Sequence, residues 1–261
     1  MLRISSVRFT RTLFSVVGLC LAVMSHAAVQ EDTIAKIRAL RKLERQKSSP
    51  EILMRLALLY SEVRQYKLFE LTMKEAMAAD PRSHLPHYYL GRYFSSVVDD
   101  LPAAVVYFRQ ALQHKPDDYR SMYYLGFCDE QERRFDAAER RYQEAAKLAE
   151  VSKATFALPY EGLARLRLNA LQAEAALPFA RLAVKTGPAE ASAHRTLAKC
   201  LDQLNQPRAA VDAWTAAVLL DPYHAPALYG LYRAQRSADD TAQAEQTLRQ
   251  FRRISASYTP D

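Results

Sequence analysis

Histidines and paired acids are the residues of this chain whose types and spacing could do chemistry. His84 and His87 are three residues apart, a spacing that on one helix face would direct two imidazoles to a metal ion. Pro86 lies between them, and no cysteine, aspartate or glutamate accompanies them at ligand spacing. The sequence therefore predicts no metal site.

Pairs of adjacent aspartates occur at Asp99-Asp100, Asp117-Asp118 and Asp239-Asp240. Two carboxylates can act as general acid and base, but each pair falls in a predicted turn, where aspartate caps a helix N-terminus. Neither a Gly-x-Ser-x-Gly nor a His-Glu-x-x-His motif is present, and only 6 glycines occur in the chain, which argues against a phosphate-binding loop. We predict that the protein is not an enzyme and binds no cofactor.

The elements that must position these side chains recur with a period of about 34 residues. Pro222 follows Pro188 by one such period, and Pro116 follows Pro81 by one residue more. The interval from Pro116 to Pro188 equals two periods with four extra residues. A fixed period of this length is typical of stacked supersecondary units, each too small to bury its own apolar face.

Each repeat holds two helical patterns joined by a short polar turn. Small residues recur where two helices must approach closely, namely Gly91, Gly126, Ala164 and Ala198 in the first helix and Ala104, Ala138, Ala176 and Ala210 in the second. Large residues fill the space beside them, namely Tyr60, Phe108, Tyr142, Phe179 and Trp214. Pro102 and Pro207 suit a first helical turn, and the Asp-Pro and Gly-Pro pairs end the second helix.

This succession of Leu-Gly/Ala, Ala, aromatic, Ala and Pro resembles the tetratricopeptide repeat (TPR) family. Six units are predicted, at 50–83, 84–118, 119–152, 157–190, 191–224 and 225–257. The resemblance implies an all-α solenoid of about six helix-turn-helix repeats that forms a right-handed superhelix. Two departures are expected: Pro178 delays or kinks a second helix, and the last unit, with Phe251 at a usually small position, is a terminal cap.

The resemblance also implies that partners bind the face lined by the first helices. The relevant positions lie three residues before the small residue and immediately after it, and they predict a partner-binding groove of Tyr88, Arg92, Tyr123, Phe127, Arg165, Arg195, Lys199, Tyr229 and Arg233. Aromatic rings and guanidinium groups favour a protein or peptide partner with apolar and acidic residues. The alternative is that these cations form an ordinary solvated face.

Residues 1–27 have the pattern of a signal peptide. Arg3, Arg8 and Arg11 precede an apolar stretch, Leu13 to Met24, and small residues precede a predicted cut near Ala27. We therefore expect a periplasmic or secreted protein without a membrane span after cleavage; an uncleaved anchor is the alternative. Residues 28–49 are predicted as a capping helix or spacer, 50–257 as the solenoid and 258–261 as a disordered tail.

Charge and cysteine usage narrow the choice of partner. The formal charge of +7 falls to +4 without the leader, which holds three arginines and no acid, and +4 is too little to indicate nucleic-acid binding. Cys128 and Cys200 occupy equivalent places two repeats apart, beyond disulfide reach, and are predicted to be buried thiols.

The sequence thus favours a non-enzymatic interaction scaffold of the bacterial cell envelope. An accessory subunit of an envelope enzyme, or a factor that binds anionic polysaccharide, is the alternative.

Overall fold

The computed structural model describes residues 30–256, whose regular structure is helical. The helices are α1 (residues 30–46), α2 (Pro50–Glu62), α3 (Tyr66–Ala79), α4 (Leu85–Tyr93), α5 (Leu101–His114), α6 (Tyr119–Gln131), α7 (Phe135–Val151), α8 (Leu158–Asn169), α9 (Ala173–Thr186), α10 (Ala191–Gln203), α11 (Pro207–Leu220), α12 (Ala225–Ser237) and α13 (Thr241–Ala256). No β-strand occurs between residues 30 and 256. The predicted leader and the 258–261 tail lie outside the described residues.

The helices after α1 form consecutive pairs, one in each predicted unit, which confirms the all-α helix-turn-helix fold. Local chemistry sets their ends. The C-cap residues of four second helices directly precede a proline, which lacks the N–H and the conformational freedom to continue a helix: Asp80, Lys115, Gly187 and Asp221. Pro102 and Pro207 lie in the first turns of α5 and α11, where a missing N–H costs little, as predicted.

The described residues divide between Leu90 and Gly91 into two compact units, and α4 runs across the division. In the first unit, α1 packs beside the first helix pair. The Arg41 guanidinium donates a hydrogen bond to the Tyr60 hydroxyl of α2, and Thr33 and Ile37 of α1 are buried. The charged segment Glu31 to Lys47 is therefore helical over most of its length and contacts the first repeat.

In the second unit, the second helices pack against their own partners and, except for α13, against the first helix of the next pair. Thus α7 contacts α6 and α8, and α11 contacts α10 and α12. The predicted small residues make these approaches possible: a Cβ on Gly91 would lie 2.6 Å from the Phe108 ring. The repeat pattern does not single out Gly162 or Gly230, whose added Cβ atoms would lie 2.7 Å from Tyr142 and 2.6 Å from Trp214.

The fourth repeat departs from the others in its second helix. Ala180 occupies the place of Tyr142 and Trp214, and Phe179, one residue earlier, packs against three neighbouring core clusters. The helix α9 begins at Ala173, in step with the other repeats, and includes Pro178. The expected late start at Pro178 is therefore wrong, because the apolar residues on both sides of the proline are held in the core.

Two local insertions explain the irregular repeat lengths. In the second repeat, which is one residue longer than the period, α4 continues into a π-helical turn, Phe94–Val98, which absorbs that residue without breaking the helix. The four extra residues of the third repeat lengthen α7 to Val151 and form a loop. That loop carries Phe156, whose ring lies 5.0 Å from the Tyr119 ring and 5.6 Å from the Tyr123 ring.

The turn inside each repeat contains one residue with a left-handed backbone. These residues are Arg64, Asp99, Arg133, Leu171, Asn205 and Asp239, and none is glycine. Leucine tolerates this conformation poorly because its Cβ crowds the following carbonyl. Leu171, with φ 57° and an 83% exposed side chain, is the least suited of them.

We expect Leu171→Gly to raise the free energy of unfolding by about 0.5–1 kcal/mol, because glycine adopts positive φ without steric strain. Urea unfolding followed by circular dichroism measures the change. Leu71→Gly is the matched control, since Leu71 is also exposed but lies in the interior of α3, where glycine costs about 1 kcal/mol. A loss of stability in both variants would contradict the strain at Leu171.

Cys128 and Cys200 are free thiols buried in their first helices, as predicted. Burial raises the pKa of each thiol to about 11, so both are protonated and poorly nucleophilic near neutral pH. Their role in this fold is to fill space in the core.

Of the helices within residues 30–256, none combines the length and the apolar character needed to cross a bilayer.

Candidate functional site

The first helices of the second unit present a row of polar and aromatic side chains. On each helix these residues follow one another at one-turn spacing, so they share one face. We call this the first-helix face, formed by Tyr123, Phe127 and Glu130 of α6, Glu161 and Arg165 of α8, Arg195, Lys199 and Asp202 of α10, and Tyr229 and Arg233 of α12. The helix α8 lies beside both α6 and α10.

The predicted aromatic residues contribute mainly to packing. Tyr88 is buried edge-to-face against Tyr89, with ring centroids 5.0 Å apart. Tyr123 is 6% exposed and stacks on Tyr142 at 5.4 Å. Phe127 is half-buried and Tyr229 is exposed, so these two rings present the larger apolar surface to solvent.

Arg165 is held by the preceding repeat. Its Nε and Nη2 atoms donate to both carboxylate oxygens of Glu130, at 2.7 and 2.6 Å, and Nη2 also donates to the Tyr142 hydroxyl at 3.2 Å. Glu130 is buried, whereas the Arg165 side chain is 38% exposed. Because the Arg165 guanidinium already makes a bidentate bond to Glu130, few of its N–H donors remain for a partner.

Tyr142 completes this network from the second helix. Its hydroxyl donates to Glu130 Oε2 at 2.6 Å, and its ring lies between Gly126 and Gly162. Burial raises the pKa of Tyr142 well above its ordinary value, so the hydroxyl keeps its proton and acts as a donor. The network joins the third and fourth repeats through three side chains.

An equivalent set of three side chains lies two repeats further along, but its arginine forms no ion pair with its acid. Asp202, Trp214 and Arg233 correspond by repeat position to Glu130, Tyr142 and Arg165. Trp214 Nε1 donates to Asp202 Oδ2 at 2.9 Å, as Tyr142 does to Glu130. Partial burial raises the pKa of the Asp202 carboxyl, and the Trp214 hydrogen bond and the Arg233 charge oppose that shift without cancelling it. Arg233 is exposed and forms no ion pair with Asp202 among residues 30–256.

Between these two sets, the cations of α10 are less constrained. Arg195 Nη1 lies 3.8 Å from Asp221 Oδ2, a long ion pair. Lys199, one turn later, is exposed and forms no ion pair with residues 30–256. The residue that corresponds to Glu130 in the repeat before Lys199 is Leu168, an apolar side chain that cannot neutralise Lys199.

Glu161 is a buried acid within this row of cations. Ser192 Oγ donates to its Oε1 at 2.9 Å. Burial raises the pKa of the Glu161 carboxyl, and the Ser192 hydrogen bond and the charges of Arg165 and Arg195 oppose that shift without cancelling it. Its burial leaves the carboxylate little accessible surface for a ligand.

Arg92 is the remaining predicted residue of the second unit. It is exposed, and its guanidinium carbon lies 5.6 Å from the centroid of the Tyr124 ring, within cation–π distance. No group of three or more His, Cys, Asp and Glu side chains that could hold a metal ion occurs between residues 30 and 256.

Sequence reasoning missed Glu130, the residue that decides how Arg165 is used. The available signal was its position one turn after Phe127 on the same helix face, and close to one repeat before Arg165. An acid and a cation about one repeat apart on the first-helix face are candidates for an ion pair between repeats.

Solved structures with the same fold are TPR proteins, and the chain has the TPR fold. The PilF protein of Pseudomonas aeruginosa is 18% identical, with a TM-score of 0.67 over 78% of this chain and 91% of that chain. PilW, described as a widely conserved type IV pilus biogenesis factor, is 16% identical, with a TM-score of 0.60 over 79% and 92% of the two chains. YrrB, described as a TPR protein with an unusual peptide-binding site, is 18% identical, with a TM-score of 0.50 over 71% and 93%.

No protein-family model matches the sequence, and none of the curated proteins matches it.

Proposed function

We propose that this protein is a non-enzymatic interaction scaffold of the bacterial cell envelope that binds an acidic segment of a protein partner on its first-helix face. The proposal rests on three cations, Arg195, Lys199 and Arg233. None of them makes the bidentate bond to a carboxylate that holds Arg165. Cations left open at repeating positions on a rigid surface can bind carboxylates that an extended segment presents.

The exposed Tyr229 ring supplies an apolar contact at the same end of the face. It lies 5.4 Å from the Phe251 ring and 6.0 Å from the Tyr232 ring, so it is braced by neighbouring aromatic side chains. A fixed aromatic ring loses little entropy on binding and commonly anchors a partner's apolar side chain. The proposed partner therefore carries acidic residues next to an apolar one.

The location of the protein rests on the sequence. The charged and apolar pattern of residues 1–27 supports export through a cleaved signal peptide. The structural likeness to PilF and PilW is compatible with a scaffold role in the assembly of an envelope machine, and we propose that class of partner.

The test is a crosslinking capture from the envelope fraction of the source cells. The variant Arg195→Ala/Lys199→Ala/Arg233→Ala is compared with the matched control Arg181→Ala/Arg208→Ala/Arg249→Ala, which removes three exposed arginines from second helices. We expect the first variant to lose a partner that the wild type and the control capture, with binding weakened about tenfold or more.

Equal capture by all three proteins, after circular dichroism has shown that they are folded, would refute a binding role for these cations. Capture of an acidic polysaccharide with a steep salt dependence would support the polymer alternative instead. Absence of the protein from the envelope fraction would refute the proposed location.

A further inference from the structure

A second surface of the third and fourth repeats has the features of a binding site. A cleft of about 400 Å³ lies between the turn that joins α6 to α7 and the end of α8. Its apolar wall includes Phe135, Leu166 and Ala170. Phe135, the first residue of α7, is 45% exposed although it is a large aromatic side chain. An exposed ring that borders a cleft is a common anchor point for a partner.

A shallow depression of about 360 Å³ adjoins this cleft, shares Phe135 and Arg133 with it and is lined further by Arg134 and Arg140. We call the two together the Phe135 cleft. Four arginines, the fourth being Arg167, line it against two acids, Asp136 and Glu139. Arg134 and Arg167 are paired with acids, so the charges left open in the lining are Arg133, Arg140 and Asp136, and the site is weakly basic around an apolar centre.

Two of the four arginines that line the Phe135 cleft are held by ion pairs, and the other two are not. Arg134 is bound to the buried Asp129, with Nη2 2.6 Å from Oδ1, and Arg167 pairs with Glu139. Arg133 and Arg140 are exposed and form no ion pair with the rest of residues 30–256. A rigid wall with two open guanidinium groups lowers the entropic cost of binding carboxylates.

The Phe135 cleft is distinct from the first-helix face. On α8, Arg165 bonds to Glu130 on that face, whereas the next residues, Leu166 and Arg167, line the cleft. The cations proposed to bind a partner on α10 and α12 do not line it. Occupation of one surface therefore leaves the residues of the other surface available.

We propose that the Phe135 cleft binds an extended acidic segment of a second protein, with one aromatic or large aliphatic side chain packed on Phe135 and neighbouring carboxylates paired with Arg133 and Arg140. Charge complementarity selects an acidic segment over a basic one, and the exposed ring requires an apolar anchor. The protein then holds two partners at once, one on each surface.

The test uses a fluorescein-labelled, capped peptide with one tryptophan flanked by glutamates, titrated with the purified full chain and followed by anisotropy. We expect saturable binding that weakens about tenfold or more in Phe135→Ala and in Arg140→Glu. Leu219→Ala and Arg208→Glu, which alter an exposed leucine and an exposed arginine outside the cleft, leave the affinity unchanged. Both cleft residues are exposed, so the variants retain the fold.

Peptide controls define the chemistry. Replacing the tryptophan by alanine, or the glutamates by lysines, should weaken binding about tenfold or more. Absence of saturable binding, or equal affinity for wild type and Phe135→Ala, overturns the proposal. Loss of binding in Lys199→Ala/Arg233→Ala, with Phe135→Ala unaffected, also overturns it, because the peptide then occupies the first-helix face.

Discussion

Tyr142→Ala is expected to lower the free energy of unfolding by about 4 kcal/mol, because replacement of a buried aromatic residue by alanine loses both apolar burial and packing. The Tyr142 side chain is fully buried, and its ring fills the space between Gly126 and Gly162 and stacks on Tyr123. In a stack of repeats each unit gains stability from its neighbours, so the loss at this junction weakens the third and fourth repeats together. Urea unfolding measures the loss, and hydrogen exchange locates it.

Tyr142→Phe is the matched control, because it keeps the ring and removes only the hydroxyl that donates to Glu130. We expect it to cost about 1–2 kcal/mol, the usual effect of leaving a buried charged acceptor with one donor fewer. If Tyr142→Ala cost no more than Tyr142→Phe, the ring would not be the element that joins the two repeats.

Arg165→Ala is expected to cost about 2–3 kcal/mol of stability, because it leaves the buried Glu130 carboxylate without its cation. The figure is below that for a fully buried pair, since more than a third of the Arg165 side chain is exposed to solvent. Thermal and urea unfolding at neutral pH measure it.

Lys199→Ala provides the control for Arg165→Ala. Lys199 occupies the equivalent place one repeat later but has no buried acid to neutralise, so its loss should change stability by less than about 0.5 kcal/mol. The double variant Arg165→Ala/Glu130→Gln should recover part of the loss, because it removes the buried charge along with its partner. Equal effects of Arg165→Ala and Lys199→Ala would show that the Glu130 pair contributes nothing.

These two predictions bear on how the first-helix face is tested. A substitution at Arg165 destabilises the fold, so a loss of binding in that variant would not separate recognition from stability. Lys199 and Arg233 are exposed and can be changed at small cost in stability, and with Arg195 they are the residues on which the proposed function depends. The same reasoning favours Phe135 and Arg140 as probes of the second surface, since both are exposed.

The sequence by itself determined the all-α repeat fold. Helix pairs, turns and close approaches depend on local chemistry, such as the prolines after Asp80 and Asp221. They depend also on the fixed period, because the same residue pattern recurs in successive repeats. Pro178 did not delay the start of α9, because the apolar pattern of that helix outweighs one proline.

Tertiary structure decided which first-helix residues are available to a partner. Arg165, Lys199 and Arg233 occupy the same repeat position, but the corresponding residue of the preceding repeat differs: it is Glu130, Leu168 and Asp202 in turn. Whether a cation is bound, solvated or left beside an acid depends on that neighbour and on side-chain geometry across two packed helices. The exposed ring of Phe135 and its cleft depend likewise on how α8 lies against the turn before α7. A repeat pattern specifies positions along the chain, whereas exposure and pairing are properties of the packed surfaces.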